Sequence, residues 1–177
     1  PKKANSAEAK NRAADLRRYA KKKMTNTNQF YAGLTPLYHL IYPDWDKSMQ
    51  HQASMLDYVI REIWGDNISS VLDVSCGIGT QSLGLSSKGY HVTASDLSFE
   101  EIQRAKQEAA LRDLSVDFSV ADMRQAFNHH RRQFDIVISC DNSVPHLLSD
   151  EDILTAFRQF YQSTRPGGGC IITVRDY

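Results

Sequence analysis

No stretch of this 177-residue sequence is apolar for anything near the roughly 20 residues a membrane-spanning helix needs. Cysteine is scarce. Cys76, Cys140 and Cys170 lie far apart, are odd in number and form no CxxC pair. That argues against a disulfide framework and a cysteine zinc site, and it fits a reducing, cytoplasmic compartment. The basic N-terminus is followed by no apolar stretch, so no secretory leader is expected. Net charge is lacking as well, but the zero hides an asymmetry. Residues 1–23 hold nine lysines and arginines against Glu8 and Asp15, while the rest of the chain holds twelve basic and nineteen acidic residues. Two compositions have been joined.

The first segment is rich in Ala, Lys and Arg. Its apolar face is thin: Ala9, Ala13, Leu16 and Ala20. We read residues 1–23 as a basic helical extension or an appended linker, with Met24 opening the domain proper. A nucleic-acid arm is the functional alternative for this segment.

What remains is an ordinary globular composition, 41% hydrophobic and 24% charged, long enough for one domain with a core. An aromatic cluster comes first: Phe30, Tyr31, Tyr38, Tyr42 and Trp45. A helix follows, opened by Asp46 or Ser48, striped by Met49, Ala53, Leu56, Ile60, Ile63 and Trp64, and stopped by Gly65. Residues 24–66 therefore read as a lid segment over a core of residues 67–177. In that core strands and helices alternate. "SVLDV", "YHVTAS", "VDFSVA", "FDIVISC" and "CIITV" are the strands, and Pro166 with three glycines turns the chain into the last of them. Ser98 to Glu101 form a capping box, and Ser149 or Asp150 opens the helix before the fifth strand. Such alternation predicts an α/β fold, a doubly wound parallel sheet with helices on both faces.

Ligands of such sheets sit at the carboxyl ends of the strands. The first strand ends on Asp73 and runs into Gly77 and Gly79, whose backbone allows close approach and presents N–H groups at a helix start. Asp96 ends the second strand, 19 residues after Gly77, where a carboxylate can accept both hydroxyls of a ribose. A dinucleotide fingerprint would have a third glycine where Ser82 stands. A diphosphate would also be repelled by Asp73, whereas a cationic ligand would not. S-adenosylmethionine, which carries a sulfonium, is favoured over NAD.

With these motifs the chain resembles the class I S-adenosylmethionine-dependent methyltransferases, from about Phe30 onward. "LDVSCGIGT" is similar to their glycine motif, "ASDLS" to their ribose-binding acid and "ADM" to their adenine site. The resemblance implies a Rossmann-like sheet of strand order 3-2-1-4-5. It also implies that Asp122 takes the adenine amino group, Met123 contacts the ring and Leu97 packs on it. The loop "CDNSVPHLL" lacks the Pro-Pro-aromatic motif of DNA amine methylases. It is similar to the Asn-Ser-x-x-His-Leu pattern of the glycine and sarcosine N-methyltransferases, as are "YHLIYPDW" and "TVRDY". By that resemblance Arg175 would pair with a substrate carboxylate, which suits a bidentate guanidinium, and Asn142 would lie near the amino acid. Where the family has an Arg-Gln pair at the cofactor carboxylate, this chain has His51-Gln52, a weaker holder. Tyr31, Tyr38, Tyr42 and Trp45 could face a sulfonium or ammonium through their π faces.

The expected activity is methyl transfer to a small amine, with no metal required. No catalytic base is assigned, and His146 is read as a hydrogen-bonded loop histidine. The alternatives are a cofactor-binding fragment or scaffold without turnover and an NAD-type oxidoreductase. The family fold closes with two further strands. A fragment is therefore expected, or an oligomer or complementing chain at the fifth-strand edge.

Overall fold

The computed structural model describes Thr35, Leu37 and residues 42–175. The expectations for residues 1–23, Tyr31 and Tyr38 fall outside those residues. The first described helix, α1 (Trp45–Trp64), is opened by Asp44, whose carboxylate accepts from the Lys47 N–H. Neither Asp46 nor Ser48 is the cap. Met49, Ala53, Leu56 and Ile60 are buried at helical spacing, whereas Ile63 is exposed. Gly65 ends the helix with φ of 80°, a conformation that favours glycine.

The alternation then runs β1 (Ser70–Asp73), α2 (Thr80–Ser87), β2 (His91–Asp96), α3 (Phe99–Leu111), β3 (Val116–Val120), α4 (Ala126–His130), β4 (Phe134–Ser139), α5 (Asp150–Ser163) and β5 (Thr164–Ile172). Short 3-10 turns, Met123–Gln125 and Val144–His146, follow β3 and β4. Ser98 caps α3 and Ser149 caps α5. All strands are parallel, in the order β3-β2-β1-β4-β5.

Helices cover both faces, so the central strands bury successive residues on opposite sides. Val71, Ile136 and Ile138 join Leu56, Ile60 and Ile102 on one face. Leu72 and Val137 join Ala156 and Phe160 on the other. Every residue of β4 is buried. Asp135, at the amino end of β4, draws three strands together there. Its carboxylate accepts from the N–H groups of Ser69 and Ser70, the Ser70 hydroxyl and Arg165. These donors hold it well below the usual carboxylate range even though burial opposes them.

The bounds of β5 include Pro166 and the three glycines, for the strand starts directly off α5 at Thr164, but pairing with β4 jumps from Thr164 to Gly169 and Gly167 has φ of 78°, so the chain bulges there before regular pairing resumes. The next two glycines are also needed for packing. A Cβ on Gly168 would lie 2.3 Å from the Asp135 carbonyl oxygen, and one on Gly169 would lie 1.9 Å from the Trp64 ring. The glycines let α1 and β4 press against the strand.

The same device seats α2 on α1. A Cβ on Gly84 would stand 2.7 Å from that of Ala53 and 2.9 Å from the Met49 carbonyl. Gly84→Ala is therefore expected to cost about 1–3 kcal/mol through overpacking. At an open helical position the same change gains up to about 1 kcal/mol. The midpoint of urea unfolding measures which sign holds.

Candidate active site

A cavity of about 340 Å³ opens where the carboxyl ends of β1, β2, β3 and β4 meet. That size fits a small-molecule ligand. Its walls come from the turn after β1, the start of α3, the segment after β3 and the loop after β4.

The glycine turn is fixed by Asp96. One carboxylate oxygen accepts from the Gly77 N–H at 2.9 Å and the other from the Ser98 N–H at 2.9 Å. Gly77 and Gly79 have φ of 54° and 95°, where a side chain would be strained. Gly77 lines the cavity, whereas Gly79 packs close to Leu83 and Ala105. Burial raises the Asp96 pKa while these N–H bonds oppose the rise. Asp96 also lines the cavity, and a carboxylate has lone pairs beyond those that backbone donors occupy.

Asp73 stands elsewhere than expected. It is fully buried and does not line the cavity. Ser82 donates to its Oδ2 at 2.7 Å and the Ser75 N–H to its Oδ1 at 3.2 Å. The two departures from a dinucleotide fingerprint, the acid and the serine, are thus one contact. Burial pushes Asp73 up to about 7, so its direct charge on a ligand is weaker than the sequence implied.

On the β3 side Leu97, Asp122 and Met123 line the cavity, with Leu97 49% exposed. Arg124 grips both oxygens of Asp122, at 2.6–3.1 Å, and reaches across to Asp152 on α5 at 2.8 Å. This bridge lowers the Asp122 pKa and leaves its carboxylate largely engaged.

On the β4 side Asp141 lines the cavity, and its Oδ2 accepts from the Tyr42 hydroxyl at 3.0 Å and Gln81 Nε2 at 2.9 Å. Burial and the Asp141 charge push the Tyr42 hydroxyl up to about 12, so it stays a donor. Asn142 and Arg175 are brought together just outside the cavity. The Arg175 N–H donates to Asn142 Oδ1 at 3.2 Å. Trp45 and His51 stand apart from the cavity. Trp45 is buried, donates to Thr80 Oγ1 at 2.9 Å and has the Arg112 guanidinium 4.9 Å from its ring centre. Because Thr80 lines the cavity, Trp45 braces its wall from behind. His51 points from the exposed face of α1.

Arg124, Asp141 and Glu101 line the cavity without having been singled out from the sequence. Two had a signal, since Arg124 follows "ADM" directly and Asp141 precedes Asn142. Glu101 was hidden inside the capping box, where it reads as a helix-start residue.

Fold and cavity together define a doubly wound domain with a nucleoside-sized site at its switch point. The family follows from comparison. Residues 71–168 match the methyltransferase domain model, and the chain belongs to that family. It is 30% identical over 136 residues to a glycine/sarcosine N-methyltransferase of Aphanothece halophytica, covering 75% of this chain and 51% of that one. It is 34% identical over 108 residues to phosphoethanolamine N-methyltransferase 1 of Triticum aestivum, covering 60% and 20%. Among solved structures, Streptomyces venezuelae DesVI superposes with a TM-score of 0.69 at 27% identity, covering 80% and 57%. The chain spans about half the length of the glycine/sarcosine relatives it matches.

Two buried acids give the domain a pH signature. Burial, with the charges of Asp96 and Glu100, pushes Glu101 up to about 8, as burial pushes Asp73 up to about 7. Both keep a proton in the folded chain where the unfolded chain has lost it. The folded state binds more protons between about pH 4 and 8, so stability falls as pH rises through that window. Acids with lowered pKa, such as Asp57 and Asp135, act below it, and His130, which burial pushes down to about 4, acts within it up to about pH 6.5; both work in the opposite direction, but one imidazole offsets only one of the two acids. The urea midpoint is expected to drop from about pH 5 to 8, and Asp73→Asn to flatten the lower half of that drop. An unchanged slope in the variant would exclude Asp73 as its source.

Proposed function

We propose that this domain binds S-adenosylmethionine in the cavity and serves methyl transfer to the nitrogen of a small amine, of the glycine or sarcosine type. The observation that carries the cofactor reading is the meeting of Asp96, Gly77, Leu97 and Met123 on one cavity at the strand ends. The residues present fit the group. Gly77 leaves room for close approach, Asp96 has lone pairs for ribose hydroxyls, and Leu97 and Met123 offer apolar surface for a base. Asp122 would meet the adenine amino group with the lone pairs that Arg124 leaves. When bound, S-adenosylmethionine supplies a methyl on a sulfonium, already activated and departing as a neutral thioether.

The chain's own part is positioning and exclusion of water. Asp141 sets a carboxylate on the wall at the end of β4, fixed by Tyr42 and Gln81, where it attracts a cationic amine. Tyr42 holds its proton and so orients Asp141 rather than acting as a base. The amine must be unprotonated to attack, and its proton passes to water. The pairing of Asn142 with Arg175 beside this wall, and the similarity to glycine/sarcosine N-methyltransferases, support an amino acid acceptor. The phosphoethanolamine relative supports a second amine class.

A binding domain without turnover is the second reading, since the wall of Asp96, Gly77, Leu97 and Met123 speaks to holding the cofactor alone. Among the described residues β5 pairs on one side only, so further strands, from this or a second chain, would add along its outer edge.

Calorimetric titration with S-adenosylhomocysteine tests the cofactor reading, with NAD as control. Binding is expected for the first alone, and Asp96→Ala is expected to weaken it at least about tenfold by removing a charged acceptor. Binding of NAD instead would refute the reading. Radiolabelled methyl transfer to glycine, sarcosine and phosphoethanolamine then separates the acceptor classes, and binding without transfer to any favours the second reading.

A further inference from the structure

The capping box at the start of α3 is only half made. Ser98 Oγ accepts from the Glu101 N–H at 3.2 Å, as such a box requires. The return bond, from the Ser98 N–H to the Glu101 carboxyl, is missing because that N–H goes to Asp96. Glu101 lies instead beneath the glycine turn. It is 4% exposed and lines the cavity, and a Cβ on Gly77 would stand 3.2 Å from its Oε2. Its Oε1 is buried and has no hydrogen-bond partner among the described residues. An orphan oxygen shut off from the cavity disfavours charge on Glu101, and the side chain meets the cavity with its remaining surface as a neutral carboxyl.

The groups around it decide what that surface can bind. Asp96 faces it from the end of β2, Cys76 and Gly77 from the turn after β1, and Glu100 stands beside it on α3, accepting from Ser98 Oγ. Asp73 lies behind Cys76. Across the cavity Arg124 is engaged by Asp122 and Asp152, and Asp141 lies at the end of β4. The nearest charged neighbours are therefore acids. Burial among them keeps Glu101 protonated at neutral pH. A protonated carboxyl donates one hydrogen bond, which Asp96 as a carboxylate cannot do. A hydroxyl of a vicinal diol both donates and accepts. One carboxylate and one carboxylic acid side by side complement it better than two carboxylates.

We propose that Glu101 is the proton-bearing arm of the ribose subsite, donating a hydrogen bond to a hydroxyl of the bound nucleoside whose own O–H donates to Asp96. The proposal rests on the cofactor reading above and gives that reading a pH dependence. Ionising Glu101 removes a donor and sets a second negative charge beside Asp96, so nucleoside affinity falls as the pH passes about 8.

The test is calorimetric titration of the full chain with S-adenosylhomocysteine, from about pH 6.5 to about 9, for the wild type, Glu101→Gln and Glu101→Met. Glutamine keeps a donor and never ionises; methionine keeps the bulk and loses the donor. The wild type is expected to lose about tenfold in affinity over that range, the worth of one buried hydrogen bond to a polar partner. Glu101→Gln should stay within about threefold of the wild type at the lower pH and remain flat to the upper one. Glu101→Met should be about tenfold weaker already at the lower pH. Urea unfolding of the ligand-free wild type and Glu101→Gln provides a second readout: the fall in stability between about pH 5 and 8 should be smaller in the variant, with what remains coming from Asp73. Equal pH dependence of binding in the wild type and Glu101→Gln, or wild-type affinity in Glu101→Met, overturns the role of Glu101 and leaves the cofactor reading standing. Failure of every form to bind at every pH overturns the cofactor reading, and this one with it.

Discussion

The carboxylate of Asp96, held between the N–H groups of Gly77 and Ser98, is the constraint on which the site depends. It joins the turn after β1, the end of β2 and the start of α3 at one point. A glycine turn in left-handed conformation has little of its own to hold it. Here an acid from the neighbouring strand supplies the missing acceptor and still presents lone pairs to the cavity. Shape and recognition therefore come from the same two oxygens.

Around that point the cavity is assembled by side chains that restrain one another. Arg124 ties the segment after β3 to α5 through Asp122 and Asp152. Tyr42 and Gln81 hold Asp141, which bears on its wall in left-handed backbone. Trp45 supports Thr80 from behind. Tyr42 and Trp45 stand off the cavity and act on it only through the residues they hold, as expected of a site supported from behind.

The sheet was legible in the sequence because each strand is a short apolar run bounded by helix starts, and parallel burial leaves that mark on both faces. Asp96 was legible because its spacing from Gly77 is set by one βα unit. The inward turn of Trp45 was not. An aromatic before a helix looks the same whether it stacks on a ligand or hydrogen-bonds to a threonine 35 residues on. Asp73 was misjudged for a related reason: its sequence position gives the strand end but not the side to which the carboxyl turns, and Ser82 takes it inward. The glycines of β5 serve both meanings of glycine, a bulge at Gly167 and close approach at Gly168 and Gly169, and only Trp64 and Asp135 reveal the second.

Asp135 shows what the two ends of the sheet have in common. At the amino end the protein furnishes an acid with two backbone N–H groups, two hydroxyls and a guanidinium, and it remains an anion. At the carboxyl end burial outweighs the two donors Asp73 receives, and one oxygen of Glu101 has none, so both acids are pushed up. The strands thus run from a finished ionic knot to an unfinished one. One end of the domain is closed by its own chain, and the other leaves a buried acid beside the cavity short of a hydrogen-bond partner.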